Sequence, residues 1–280
     1  MRVKLVVSYD GTDFCGWATQ TGQRTVQSIL TEAVRHISGE ENEIWGASRT
    51  DSGAHARGQG CHFDTDGKIP VHKWAEILNR RLPDDIAVLS SEHVPDDFSS
   101  RFWVVDRWYR YRIAIANPPD PHRIRWVHHY GQDINLEAMQ EAASLLQGEH
   151  DFLAFTEELE SHVLNTTRIL RKVKVSRVRD EVWVDVVGTA FLRGMMRRMS
   201  GVLLEVGRAH RPVEEVSVLL SAERYHLQWP VVLPAKGLTL MRVNYGRTLR
   251  PRAHRDQLPK KPQVSLHNKK GLIDEPDIRK

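Results

Sequence analysis

The sequence predicts an α+β protein in which helices pack against a mainly antiparallel sheet, and three observations carry that reading. Short valine-rich segments with alternating apolar character recur, as in "VKLVVSYDG" and "EVWVDVVGTA". Others space their apolar residues three and four apart, as in "TVQSILTEAVRHI". The order strand, helix, strand, strand, helix, strand in the first hundred residues has a similar successor after residue 100, without a detectable sequence repeat. Two α+β halves of split β-α-β type, meeting near residues 95–105, are the economical arrangement.

In the first half, "VKLVVSYDG" reads as a buried strand that stops at the turn Asp10-Gly11. Val26, Ile29, Leu30, Ala33, Val34 and Ile37 then mark a helix, with Thr25 as its N-cap. "EIWGAS" and "GQGCHFDT" read as strands on either side of "GASRTDSGAHARGQ". "VHKWAEILNRRL" reads as a second helix stopped by Pro83, and "DDIAVLSSEHV" as a strand.

In the second half, "RWYRYRIAIAN" reads as a strand and "NLEAMQEAASLLQG" as a helix ended by Gly148. "RILRKVKVSRV" and "EVWVDVVGTA" read as a hairpin. Helices are expected over 191–208 and 213–221, followed by a last strand, "LTLMRVNY". The domain reading is therefore 1–100, 101–248 and a charged, proline-rich tail, 249–280, expected to be flexible.

Composition narrows the function classes. Of 280 residues, 40% are hydrophobic and 27% charged, as in an ordinary globular protein. No apolar run approaches the length of a membrane span and no signal peptide is evident, so a cytoplasmic location is expected. Two cysteines, Cys15 and Cys61, give no disulfide framework. His55, Cys61 and His62 lie close in sequence but fall short of a four-ligand zinc pattern, so no metal is expected. The formal charge is +4; residues 247–280 hold ten Lys/Arg against four Asp/Glu, which leaves −2 for the rest. A nucleic-acid groove in the body must therefore come from local clustering of arginines. The tail itself reads either as a solvated terminus or as an RNA-binding arm.

Three stretches carry candidate chemistry. Asp51 lies in a turn of small residues (Gly46, Ala47, Ser48, Ser52, Gly53, Ala54) beside Arg49. Small side chains let something large approach the backbone, and a neighbouring arginine favours an ionised carboxylate. On local sequence alone Asp-Ser-Gly reads first as an ordinary turn. In "RWYRYRI", period 2 puts Tyr109 and Tyr111 on one face with Arg107, and Trp108, Arg110 and Arg112 on the other. That mixture suits stacking on unpaired bases beside phosphates, or simply an amphipathic strand. In "FLRGMMRRMSGVLLEVG", Arg197 lies opposite the apolar stripe, as a site residue or a solvated one.

Ordered motifs then add a resemblance. "YDGTDFCGW", "TVQSIL", "ASRTDSGAHARGQ", "LNRRLPDDIAV", "PDDFSSRF", "RWYRYRI", "GEHDFLAF", "TTRIL", "FLRGMMRRMSG" and "AKGLTLMRVNY" resemble, in this order, the TruA family of tRNA pseudouridine synthases. The likeness spans residues 3–246. It implies two RRM-like (ferredoxin-like) halves around a central RNA-binding cleft, a homodimer, no cofactor, and isomerisation of uridines in the anticodon arm of tRNA. It also implies Asp51 as catalytic carboxylate, Tyr109 as active-site tyrosine and Arg197 as the aspartate's partner. Arg49, His55, Arg101, Arg110 and Arg198 are the substrate contacts expected with them. The sequence departs from the family at Ser48, Ser52 and Ala54, at "CGWATQ", and at Arg198, where asparagine is usual. Two rival readings remain: a non-catalytic RNA-binding or chaperone protein on this fold, and a paralogue that modifies another RNA.

Overall fold

The computed structural model describes residues 1–156 and 165–246; the tail expectation lies outside the described residues. The elements are β1 (Arg2–Tyr9), α1 (Val26–Ser38), β2 (Trp45–Gly46), β3 (His55–Asp64), α2 (Trp74–Asn79), β4 (Ile86–Val94) and β5 (Val104–Ala114). They continue with β6 (His128–His129), α3 (Leu136–Leu146), β7 (Gly148–Asp151), β8 (Thr167–Val178), β9 (Glu181–Gly188), α4 (Met195–Gly207), α5 (Glu215–Leu219) and β10 (Leu238–Tyr245). No helix among the described residues is long and apolar enough to cross a membrane.

The fold is mixed α+β on one mainly antiparallel sheet, ordered β4-β1-β3-β10-β5-β9-β8-β7, with β2 added to β3 and β6 to β5. The last strand, β10, fits between β3 and β5, parallel to the former and antiparallel to the latter, so the sheet is continuous. The order β4-β1-β3 with β2 on β3 recurs as β10-β5-β9-β8. In each set the first strand pairs with the last and the third.

Local chemistry explains most boundaries. β1 alternates strictly, burying Val3, Leu5, Val7 and Tyr9. Thr25 caps α1 as expected: its Oγ1 accepts from the Ser28 N–H while the Ser28 hydroxyl serves the Thr25 N–H. Val26, Leu30 and Val34 form the fully buried face of that helix.

Several expected elements come out shorter, among them the helix expected over 213–221, which is α5 at Glu215–Leu219. α2 begins only at Trp74, after a 3-10 turn over Val71–Lys73. It ends at Asn79, whose side-chain amide pairs with both backbone groups of Val88 on β4. α4 starts at Met195 and not at Phe191, because the chain before it makes a turn in which the Met195 N–H donates to Leu192 O. β2 keeps only two residues, paired with His62 and Cys61.

Candidate active site

Residues 47–54 join β2 to β3, and the polypeptide between β1 and α1 packs beneath them. The Gly53 N–H and the Ser52 hydroxyl both donate to Phe14 O, at 3.2 Å each. The Trp17 N–H donates to Thr50 O at 3.2 Å, and the Thr50 hydroxyl meets Tyr9 Oη at 2.8 Å. A Cβ on Gly11 would fall 1.9 Å from Ala54 O, and one on Gly16, where φ is +84°, 2.6 Å from Thr50 O. Only glycine fits either position.

The small residues of the loop thus answer, on this side, to the chain's own segment 11–17. Ala47 and Ala54 are buried, not open to a ligand. These contacts brace the loop, and Asp51 on it is half-buried.

α4 delivers the partner. Arg197 Nη1 donates to Asp51 Oδ2 at 3.2 Å, and Arg197 Nε donates to Leu233 O at 2.7 Å. One guanidinium is oriented by a backbone carbonyl and presents a second N–H to the carboxylate. This is the geometry for which arginine's rigid fork is suited.

β5 delivers the tyrosine. Tyr109 is buried, its ring set edge-on to Phe191 with centroids 4.9 Å apart, and its hydroxyl lies 2.6 Å from Ser48 Oγ. Burial raises its pKa, opposed by the Ser48 hydrogen bond and by the charge of Arg107; the Asp51 charge acts in the same direction as burial. The phenol is therefore neutral. Arg107, on the same face of β5, donates from Nη2 to Ala47 O at 2.7 Å and from Nη1 to Thr189 O at 2.9 Å.

The other expected site residues are placed as follows. Arg49 is exposed, and the ion pair of Asp51 goes to Arg197, not to this neighbour. Arg101 is exposed, with its guanidinium 5.5 Å from the Phe102 ring centroid.

His55 is buried. Its Nδ1 accepts from the Gly11 N–H at 3.0 Å, and Nε2 faces Arg125 O and Lys236 O at 3.1 and 3.2 Å. Burial lowers its pKa, against an opposing pull from Asp10 Oδ1 at 3.2 Å from Nδ1. Burial prevails, so the ring is neutral; Nδ1 accepts from the Gly11 N–H, which puts the proton on Nε2, facing the two carbonyls. His55 is a structural tie among three segments.

Arg110 is not brought to Asp51. It stands on the opposite face of β5 from Tyr109, paired with Asp185 at 2.9 Å and lying 3.8 Å over the Trp183 ring. Arg198 donates from Nη1 to Pro230 O at 2.5 Å. Among the described residues no three His, Cys, Asp or Glu side chains are grouped to hold a metal.

Three features of the site have no single-residue signature in the sequence: the Gly11 and Gly16 support, the Leu233 carbonyl that aims Arg197, and the Ser48–Tyr109 contact. Strand periodicity alone does put Arg107 on Tyr109's face.

Comparison with known proteins now bears on this arrangement. A model of a family described as tRNA pseudouridine synthase matches residues 5–102 and 142–246. The chain belongs to the tRNA pseudouridine synthase family. The tRNA pseudouridine synthase A of Brevibacillus brevis is 40% identical over 245 residues, 87% of this chain and 99% of that protein. The enzyme of the same name from Syntrophotalea carbinolica is 40% identical over 244 residues, covering 87% and 96%. The one from Lactobacillus delbrueckii is 37% identical over 259 residues, covering 91% and 97%. A chain from a Cbf5-Nop10-Gar1 complex aligns with a TM-score of 0.32 at 10% identity, over 85% of this chain and 57% of that one, too loose a likeness to bear on the fold. Membership of a pseudouridine synthase family makes the chain an isomerase.

Proposed function

We propose that this enzyme converts uridine to pseudouridine in the anticodon arm of tRNA, with Asp51 as the catalytic carboxylate, and that it works in the cytoplasm as a homodimer. The observation that carries the reading is the Asp51–Arg197 pair, set on a braced loop beside the buried Tyr109.

The reaction breaks the N1–C1′ bond, turns the base and rejoins it to the sugar through C5. It is an isomerisation, so atoms balance within the nucleotide. The carboxylate acts at the sugar, as nucleophile at C1′ or as base toward the C2′ hydrogen; either role calls for the ionised form. Arg197 supplies the opposite charge. The uridine must leave its stack, at a cost of a few kcal/mol, and an aromatic seat helps to offset this. Tyr109 is that seat.

Exposed Arg49 and Arg101 are assigned to backbone phosphates, together with the basic residues of 249–280. His55 and Arg198 serve by holding segments 11, 125, 230 and 236 in place, and Arg110 by tying β5 to β9. The reading as two RRM-like halves, 1–100 and 101–248, is supported by the repeated strand order.

The test is to incubate tRNA transcripts with the enzyme and map pseudouridine by position. Product confined to the anticodon arm is expected. Product elsewhere favours a paralogue of other specificity, and tight RNA binding without product favours a chaperone.

A further inference from the structure

Ser48 stands three residues before Asp51, and its hydroxyl lies 2.6 Å from that of Tyr109. Both ends of this contact are fixed independently. Ser48 O accepts from Gln59 Nε2 at 2.7 Å, and Ala47 O just before it accepts from Arg107 Nη2 at 2.7 Å. At the other end, the Tyr109 ring is held edge-on by Phe191 and is 5% exposed. The Ser48 backbone and the Tyr109 ring are thus both held, and within that frame the two hydroxyls meet at 2.6 Å.

The phenol has one rotatable polar bond, and among the described residues Ser48 is its hydrogen-bonding partner. Asp51 and Tyr109 arrive on different elements, one on the β2–β3 loop and the other on β5. Ser48 links them directly through Tyr109 itself, alongside the backbone tie from Arg107 to Ala47 O. Of the loop's three hydroxyl residues, Ser48 is the one that meets Tyr109, whereas Thr50 meets Tyr9 and Ser52 bonds Phe14 O.

We propose that Ser48 is a positioning residue for the isomerisation: its hydroxyl fixes the direction of the Tyr109 O–H and locks the seat of the target base to the loop that carries Asp51. The proposal rests on the reading of Tyr109 as that seat. Ser48 touches no reacting atom. It acts through Tyr109, and misplacement of a base relative to a catalytic group by a fraction of an ångström is costly to turnover more than to binding.

The experiment measures kcat and KM for pseudouridine formation on a tRNA transcript with wild type, Ser48→Ala, Ser48→Thr, Tyr109→Phe and the Ser48→Ala/Tyr109→Phe double variant, with thermal unfolding of each. Ser48→Ala is expected to lower kcat about tenfold, the scale of one lost neutral hydrogen bond, with KM within about twofold. Ser48→Thr, which keeps a hydroxyl, should recover most of the loss. Once Tyr109 has lost its own hydroxyl, Ser48→Ala should cost nothing further.

An equal loss from Ser48→Ala in both backgrounds would overturn the proposal, as would unchanged kcat in the single variant. If Tyr109→Phe is too slow to time, Ser48→Thr decides: turnover as slow as that of Ser48→Ala sinks the idea. A wild type that makes no pseudouridine removes the functional reading, and Ser48's role with it. An active wild type indifferent to Ser48→Ala removes only the role of Ser48.

Discussion

Arg197 Nη1 reaches Asp51 Oδ2 at 3.2 Å across 146 residues of sequence, while Nε of the same guanidinium is held by Leu233 O at 2.7 Å. Arginine is thus required for shape as well as charge. Arg197→Met is expected to lower turnover about 100-fold, the scale of a lost oriented charge contact in an active site. Arg197→Lys keeps the charge but not both N–H bonds, and should lose about tenfold. Single-turnover assays on a tRNA transcript check both; wild-type turnover in Arg197→Met would contradict the pairing's role.

The loop beneath Asp51 predicts a stability effect with no polar chemistry in it. Gly11→Ala places a methyl 1.9 Å from Ala54 O, a backbone atom that cannot step aside. A loss of about 3 kcal/mol or more follows, with the mount of Asp51 displaced. Urea denaturation is the measurement. A variant within 1 kcal/mol of wild type, on the scale of ordinary surface changes, would show that the 11–17 segment does not hold this loop.

His62 predicts a pH dependence of stability. It is buried, with Nδ1 2.8 Å from Ser100 Oγ; burial, then the charge of Arg2, lowers its pKa to about 4, against an upward pull from Asp64. Above about pH 6.5 the ring is neutral in both the folded and the unfolded chain, so it has no effect. As pH falls from about 6.5 toward 4 the unfolded chain binds a proton that the folded one refuses. Stability therefore declines across that window, by at most roughly 3 kcal/mol from this residue. His55, lowered by burial, acts with the same sign. Denaturant midpoints between pH 7.5 and 4.5 test this, and a midpoint that holds level or rises on acidification runs against it.

Arg110 predicts a structural cost. Its pair with Asp185 is largely buried, with side chains 18% and 13% exposed, and its guanidinium covers Trp183. Arg110→Ala leaves Asp185 with the Trp108 indole N–H as its remaining side-chain donor among the described residues. A loss of about 2–3 kcal/mol is expected in chemical denaturation. Unchanged stability would mean that the pair is solvated in practice.

How much of this was legible beforehand depends on the range of the interaction. Thr25 as a cap, the alternation of β1 and the hairpin of β8 and β9 are local, and the sequence announces them. The shared face of Arg107 and Tyr109 follows from strand period alone. The pairing of Asp51 with Arg197 came from family resemblance, since no spacing rule connects residues 146 positions apart. Arg110 is expected at the substrate, while period 2 places it opposite Tyr109; its partner, Asp185, is set by the register between β5 and β9. Arg49 stands near Asp51 in sequence, yet the carboxylate's ion pair is with Arg197, because such pairing is set by the fold and not by adjacency in the chain. The insertion of β10 between β3 and β5 depends on global strand order, which local patterns do not encode.

The most direct test of the account is Asp51→Asn. The change keeps the shape and a hydrogen-bonding oxygen for Arg197 while removing the negative charge and the basic, nucleophilic oxygen. Pseudouridine should be mapped in a tRNA transcript under single-turnover conditions, with RNA affinity and thermal unfolding measured on the same preparation. The account predicts a fall in turnover of at least about 1,000-fold, with the RNA still bound and the fold intact. Pseudouridine formed by Asp51→Asn at a rate near wild type would contradict it.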